Sequence, residues 1–281
     1  MTVVAGIVLA GGRSSRMGTP KATLEWHGST LLRRTTSIVS RAVTGPVVVV
    51  RAPGQDLPGL PADVEILQDP HEGRGPLQGI AVGLEALADR ADAAFVCSTD
   101  LPFLHPAFIR AVLGAVAPDI DVALPVARGY PQPLAAAYRT DLAPLVSALV
   151  DADRLRPAFL FEECRVVRLD DAALRADPMV AALDPELDSV VNVNEVDEYA
   201  QARARPAPAI TVQCYGALAG RLGGGPRAVH AATLAQAAAA ISLPLDRHVL
   251  AALNGEQITR DGHAPLTPGD TVAFISADAG G

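Results

Sequence analysis

The stretch TVVAGIVLAGGRSSRMGTPK, Thr2–Lys21, decides the fold. Its first half is an unbroken run of β-branched and small apolar residues. That is the composition of a strand buried on both faces, as in a parallel sheet flanked by helices. Its second half opens with Gly11 and Gly12, continues through Arg13 and Arg16, and closes on Lys21. Adjacent glycines let backbone N–H groups approach a ligand closely, and a strand running into such a loop can cradle phosphates. The spacing is neither GxGxxG nor GxxxxGK followed by Ser or Thr, so neither a dinucleotide fingerprint nor a P-loop is supported. Lys21 is the one lysine among 23 basic residues; the rest are arginines. A lysine delivers a compact, mobile point charge where arginine delivers a wide planar fork, and a crowded phosphate favours the former.

Outward from this stretch the pattern alternates. PVVVV (46–50) and VEIL (64–67) read as second and third buried strands, and AAFVCS (93–98) as a fourth. Helical periodicity lies between them, near 31–43, from the Gly73/Gly75/Gly79 loop to about 88, and over 105–116. DVALPV, PLAAAY and VVNVN are later strand candidates. Strands alternating with helices imply an α/β, Rossmann-like, mostly parallel sheet with helices on both faces. QARARPAPA (201–209) reads as a linker, its core at 204–208, which divides the chain into residues 1–203 and 209–281. Beyond it, ITVQCY, a helix capped by Thr233, an Asn254-Gly255 hairpin turn and TVAFIS suit a small β-grasp module ending in Gly280-Gly281.

In an open parallel sheet, ligands gather beyond the carboxyl ends of the strands. The glycine loop, Asp69 after VEIL and Asp100 after AAFVCS all fall there, although they are distant in sequence. A carboxylate beside phosphates is the usual anchor for Mg²⁺, which takes one or two carboxylates plus phosphate oxygens and water. Asp69-Pro70 is also an ordinary turn signal. Asn192 and Asn194, two apart in VVNVN, share one face of a strand, either towards a ligand or as a structural pair.

Net charge is −8 with 4% aromatic residues, which argues against a nucleic-acid partner. Cys97, Cys164 and Cys214 lie far apart, as in a reduced cytoplasmic protein. No apolar run reaches the ~18 residues of a membrane helix. The six histidines are scattered and receive no role.

LAGGRSSRMGTPK, QDPHEGRGPLQG, STDLPF and VVNVNEVDEY, in this order, resemble the molybdenum cofactor guanylyltransferase family of nucleotidyltransferases over residues 3–203. The resemblance implies transfer of GMP from GTP to the phosphate of molybdopterin, with release of pyrophosphate. It implies that Leu9, Ala10, Gly11 and Gly12 contact base and triphosphate and that Lys21 holds phosphates, with Arg16 adding charge for catalysis. It further implies that Asp69 recognises the nucleotide, Asp100 binds Mg²⁺ and takes part in catalysis, and Asn192 and Asn194 face the acceptor. LAGG favours guanine, since cytidylyl relatives resemble LAAG; Arg51-Ala52-Pro53 departs from the asparagine that guanylyltransferases often carry there. Transfer of CMP, a sugar-phosphate acceptor, or a nucleotide-binding scaffold without turnover are the alternatives. The C-terminal segment resembles the small subunit of molybdopterin synthase and the thiamine sulfur carrier. This implies a thiocarboxylate formed on Gly281, with a sulfur-carrier adenylyltransferase and the molybdopterin synthase large subunit as partners. The tail SADAGG departs from the more usual Pro-Pro before Ser-Gly-Gly.

Overall fold

The computed structural model describes residues 2–11, 18–71, 73–222 and 225–276. Gly12, Arg13, Arg16, Gly280 and Gly281 lie outside the described residues. The chain divides into two compact units, Met1–Trp26 with Thr30–Ala202, and His27–Ser29 with Arg203–Gly281.

The main sheet of the first unit has, among the described residues, eight strands: β1 (Val4–Leu9), β2 (Val47–Arg51), β3 (Val64–Gln68), β4 (Ala93–Ser98), β5 (Val122–Ala127), β6 (Tyr130–Pro131), β7 (Ala135–Arg139) and β8 (Val166–Asp170). Their order is β8-β5-β7-β4-β1-β2-β3, with β6 paired to β5. β1 pairs in parallel with β2 and β4, β2 with β3, and β5 with β8. β7 and the two-residue β6 run antiparallel to their neighbours. Side-chain alternation sends Ala5, Ile7 and Leu9 to one face and Val8 to the other. The first face is covered by α2 (Pro76–Leu87) and α4 (Ala143–Asp151), the second by α1 (Leu31–Ser40) and α3 (Pro106–Gly114). Buried His105 caps α3, its Nδ1 accepting from the Ala107 amide at 3.0 Å.

Three expectations are corrected here. VEIL is a strand but not a buried one: β3 is the edge of the sheet, and Ile66 is 50% exposed. VVNVN is not a strand, because no sheet neighbour reaches it. Asp188–Val190 forms one 3₁₀ turn, and the extended residues after it are held by single bonds, among them Val193 N–H to the Asp100 carbonyl at 3.0 Å. Residues 201–204 are not linker but the end of a helix, α5 (Val196–Ala204). Ala202 packs beside Trp26 and Tyr199, and the helix stops before Arg205-Pro206, where proline disfavours helical backbone at the residue it follows.

The second unit carries β9 (Ala209–Tyr215), β10 (Arg227–His230), α6 (Leu234–Ala240), β11 (Val249–Leu253), β12 (Gln257–Thr259) and β13 (Thr271–Ser276). Its sheet has the order β10-β9-β13-β11-β12, with β9 and β13 parallel and the other pairs antiparallel. Leu234, Ala237 and Ala238 of α6 close a core with Val212, Val272 and Phe274. Asn254 (φ 53°) and Gly255 (φ 75°) turn β11 into β12 with the left-handed backbone that an Asn-Gly hairpin provides.

Gly6 shows how tightly β1 lies against α1: a Cβ there would stand 2.3 Å from Val39 Cγ1. Val39 is fully buried and β-branched, so its rotamer cannot yield. Gly6→Ala should cost about 1–3 kcal/mol in denaturant unfolding. Gly114→Ala, at the end of α3 with nothing within 4 Å of the added carbon, should cost nothing. Equal stability of the two variants would show that the β1–α1 spacing relaxes freely.

Candidate active site

Beyond the carboxyl ends of β1, β2 and β4 lies a cavity of about 440 Å³. Leu9 and Gly11, Val50 to Ala52, Asp69, Gly73 to Pro76, Gly79, Ser98 and Leu134 line it. Its floor is close-packed. A Cβ on Gly11 would meet the Ala52 nitrogen at 3.2 Å, and one on Gly79 would meet Leu9 Cδ2 at 3.1 Å. Gln55 ties two walls together: its Oε1 accepts from the Ala52 amide and its Nε2 donates to the Ala10 carbonyl, both at 3.0 Å.

The ammonium of Lys21 donates to Asp100 Oδ2 and to Asn194 Oδ1, each at 2.7 Å. The other oxygen of Asp100 accepts from the Ser98 hydroxyl. The Lys21 and Asp100 side chains are 19% and 13% exposed, so water screens their attraction only in part. Burial first, and then the charge of Asp100, push the neighbouring Cys97 thiol far up, which keeps it neutral and unreactive.

The segment carrying Asn194 is tied down upstream as well. Asp184 accepts from the amides of Asp188 at 2.7 Å and Ser189 at 3.3 Å, and the Ser189 hydroxyl accepts from the His105 amide at 3.0 Å. Burial pushes the Asp184 carboxyl up to about 6, against the lowering effect of these hydrogen bonds.

The sequence-predicted residues separate accordingly. Leu9, Gly11 and Asp69 line the cavity, and Ala10 is buried with its carbonyl on Gln55. Asp69 Oδ1 also accepts from the His71 amide at 2.9 Å, the turn that Asp-Pro signals. Lys21, Asp100 and Asn194 meet directly. Asn192 is exposed and, among the described residues, does not join this cluster, while Val193 between the two asparagines is buried. Gly12, Arg16 and Gly281 lie outside the described residues. Among the described residues no group of three or more His, Cys, Asp and Glu gathers as a metal cage, and no helix is long and apolar enough to cross a membrane.

Ser98, Gln55, Arg74 and Leu134 went unread in the sequence. Ser98 had a signal, standing two residues before Asp100 in STDLPF, and Arg74 another, lying inside QDPHEGRGPLQG. Arg74 is placed by tertiary bonds, to the Val150 carbonyl at 2.8 Å and Asp153 at 3.1 Å.

The MobA-like NTP transferase domain matches residues 6–168. The chain belongs to this family. A Bacillus cereus (strain AH820) protein named "Probable molybdenum cofactor guanylyltransferase" is 31% identical over 205 residues, 72% of this chain and 97% of the relative. A Mycobacterium tuberculosis (strain H37Rv) protein of the same name is 42% identical over 170 residues, 59% of this chain and 83% of the relative. The fold is that of the Archaeoglobus fulgidus molybdopterin-guanine dinucleotide biosynthesis protein A, with a TM-score of 0.56 at 22% identity, covering 71% of this chain and 96% of the other. The chain is therefore a nucleotidyltransferase with an α/β, mostly parallel sheet.

The 2.7 Å contacts on both sides of Lys21 leave room for an ammonium but not for a planar fork. Lys21→Arg should lower kcat/KM for nucleotidyl transfer roughly tenfold or more, about 1.4 kcal/mol of transition-state stabilisation. The exposed Arg227→Lys should leave it within about threefold. A Lys21→Arg enzyme as active as Arg227→Lys would remove the point-charge explanation of the lone lysine.

Proposed function

We propose that the chain transfers GMP from GTP to the phosphate of molybdopterin, releasing pyrophosphate, in molybdenum cofactor biosynthesis. The names of the curated relatives support this reading, and the meeting of Lys21, Asp100 and Asn194 next to Ser98 of the cavity wall carries it.

The acceptor phosphate is already largely dianionic at neutral pH, its second pKa being ~6, so its attack needs no general base. An acceptor oxygen forms a bond to the α-phosphorus of GTP while the α–β bridging P–O bond breaks and its electron pair leaves with pyrophosphate. Catalysis then rests on positioning and charge neutralisation. Leu9 to Gly12 hold base and triphosphate, Asp69 and the Gln55-braced loop bound the base, and Lys21, with Arg16, meets the departing charge. Asn194, with Asn192, faces the acceptor.

Asp100 suits Mg²⁺. It is a partly buried carboxylate bonded to Ser98 of the cavity wall, and its two oxygens have lone pairs beyond those used by Ser98 and Lys21. Bound there, the ion would neutralise triphosphate charge.

The observation to make is pyrophosphate release with each of the four NTPs, with and without molybdopterin. GTP with molybdopterin should exceed every other pair by roughly tenfold in kcat/KM. CTP as the best donor would overturn the base assignment, and a sugar phosphate as the best acceptor would overturn molybdopterin. Binding without turnover would leave a nucleotide-binding scaffold.

We further propose that residues 209–281, after a linker ending at 208, form a β-grasp sulfur carrier, on the strength of the five-stranded sheet packed against a helix capped by Thr233. A cognate adenylyltransferase would activate the Gly281 carboxylate for conversion to a thiocarboxylate, which the large subunit of molybdopterin synthase would consume. The intact chain, incubated with ATP and that enzyme, should gain the mass of AMP. Deleting Gly280-Gly281 should abolish the adduct and spare guanylyl transfer. An intact chain without any adduct would reduce this unit to a tether.

A further inference from the structure

We propose that Glu198 is a positioning residue of the transferase site, acting through the backbone of Asn194. The inference rests on the nucleotidyl-transfer reading of that site. Glu198 lies on the first turn of α5, and its Oε2 accepts from two successive amides before the helix, Asn194 at 2.7 Å and Glu195 at 3.2 Å. This is the return arm of a capping box, in which an acidic side chain reaches back to the amides preceding its own helix. A peptide held at its amide cannot swing, so the bond fixes where the Asn194 side chain leaves the main chain.

That side chain accepts from Lys21 at 2.7 Å, and the next amide upstream, Val193, donates to the Asp100 carbonyl at 3.0 Å. Glu198 thus holds one end of a short segment whose other contacts are Lys21 and Asp100. The helix supplying Glu198 is itself anchored. The Tyr199 hydroxyl donates to the Glu25 carbonyl, and its ring lies 6.3 Å from that of Trp26. Glu198 touches no reacting group; it sets the height of Asn194 over Lys21.

A simple helix cap would do none of this, and the chain contains a matched comparison. Asp177 accepts from two amides, Met179 at 2.8 Å and Val180 at 3.1 Å, at the start of the short helix Pro178–Leu183. Both caps hold two amides; only one of them holds the amide of a residue on Lys21.

The test uses the full chain with variants Glu198→Ala, Glu198→Gln, Asp177→Ala, Asn194→Ala and the Glu198→Ala/Asn194→Ala double variant. Tm, the Kd of GTP by calorimetry, and kcat/KM with the best NTP are measured for each. Glu198→Ala should lose roughly tenfold in kcat/KM and in Kd, and Glu198→Gln, which keeps the accepting oxygen, should stay within about threefold of wild type. Asp177→Ala should lower Tm by a similar amount with both constants within about threefold. In the Asn194→Ala background, Glu198→Ala should add less than about threefold while keeping its full effect on Tm. Fully additive losses, or a Glu198→Ala enzyme within threefold of wild type, overturn the proposal. A wild-type chain that binds GTP without turnover refutes the transferase reading alone, since the pattern is then judged on Kd; one that neither binds nor turns over GTP refutes both.

Discussion

The first unit depends on β1 having a hydrogen-bonded parallel neighbour along each edge and a helix layer on each face. Such a strand commits its backbone polar groups to two ladders and its side chains to two cores. Its one opening to a ligand is its carboxyl end. Because β2 and β4 run in the same direction, their ends open along the same edge. Gly11, Ala52 and Ser98 are therefore neighbours of one cavity although other elements separate them along the chain.

At that edge, the choice of Asn rather than Asp at position 194 matters electrostatically. Lys21 and Asp100 together carry no net charge, and the Asn194 amide accepts from the ammonium without changing that sum. A second carboxylate there would add negative charge in partly excluded water, where repulsion of an incoming polyanion is only weakly screened. The ion pair is not a stability device, since taking both charges partly out of water offsets much of their attraction. Its value lies in where it puts the ammonium.

The parts of this arrangement that were legible in the sequence are those with strong local signals. The β-branched run of β1 allows little but a buried strand, and a carboxylate right after AAFVCS had to stand at a strand end. VEIL has the composition of a strand but carries no sign of being an edge, because edge position follows from sheet order and not from composition. VVNVN alternates like a strand, and the alternation does set Asn192 and Asn194 apart from Val193. Whether an extended segment finds a ladder depends on distant residues. The helix over residues 196–204 hid behind small and charged residues: just Ala202 of its length is buried, and the prolines after it dominate the local composition. Gln55 had no motif to betray it, and Arg74, although inside QDPHEGRGPLQG, is set at the cavity by non-local hydrogen bonds.

The bond between Lys21 and Asn194 spans 173 positions, and that between Lys21 and Asp100 spans 79. Proteins are made from the amino end, and a domain's early segments can collapse while later ones are still being added. A nascent chain can therefore bring Lys21 and Asp100 together roughly midway through synthesis of the first unit, with the third partner still missing. The site is completed only as the last turns of that unit emerge, just ahead of β9. The order of translation thus permits an order of assembly, with the ion pair first, the amide second and the second unit last.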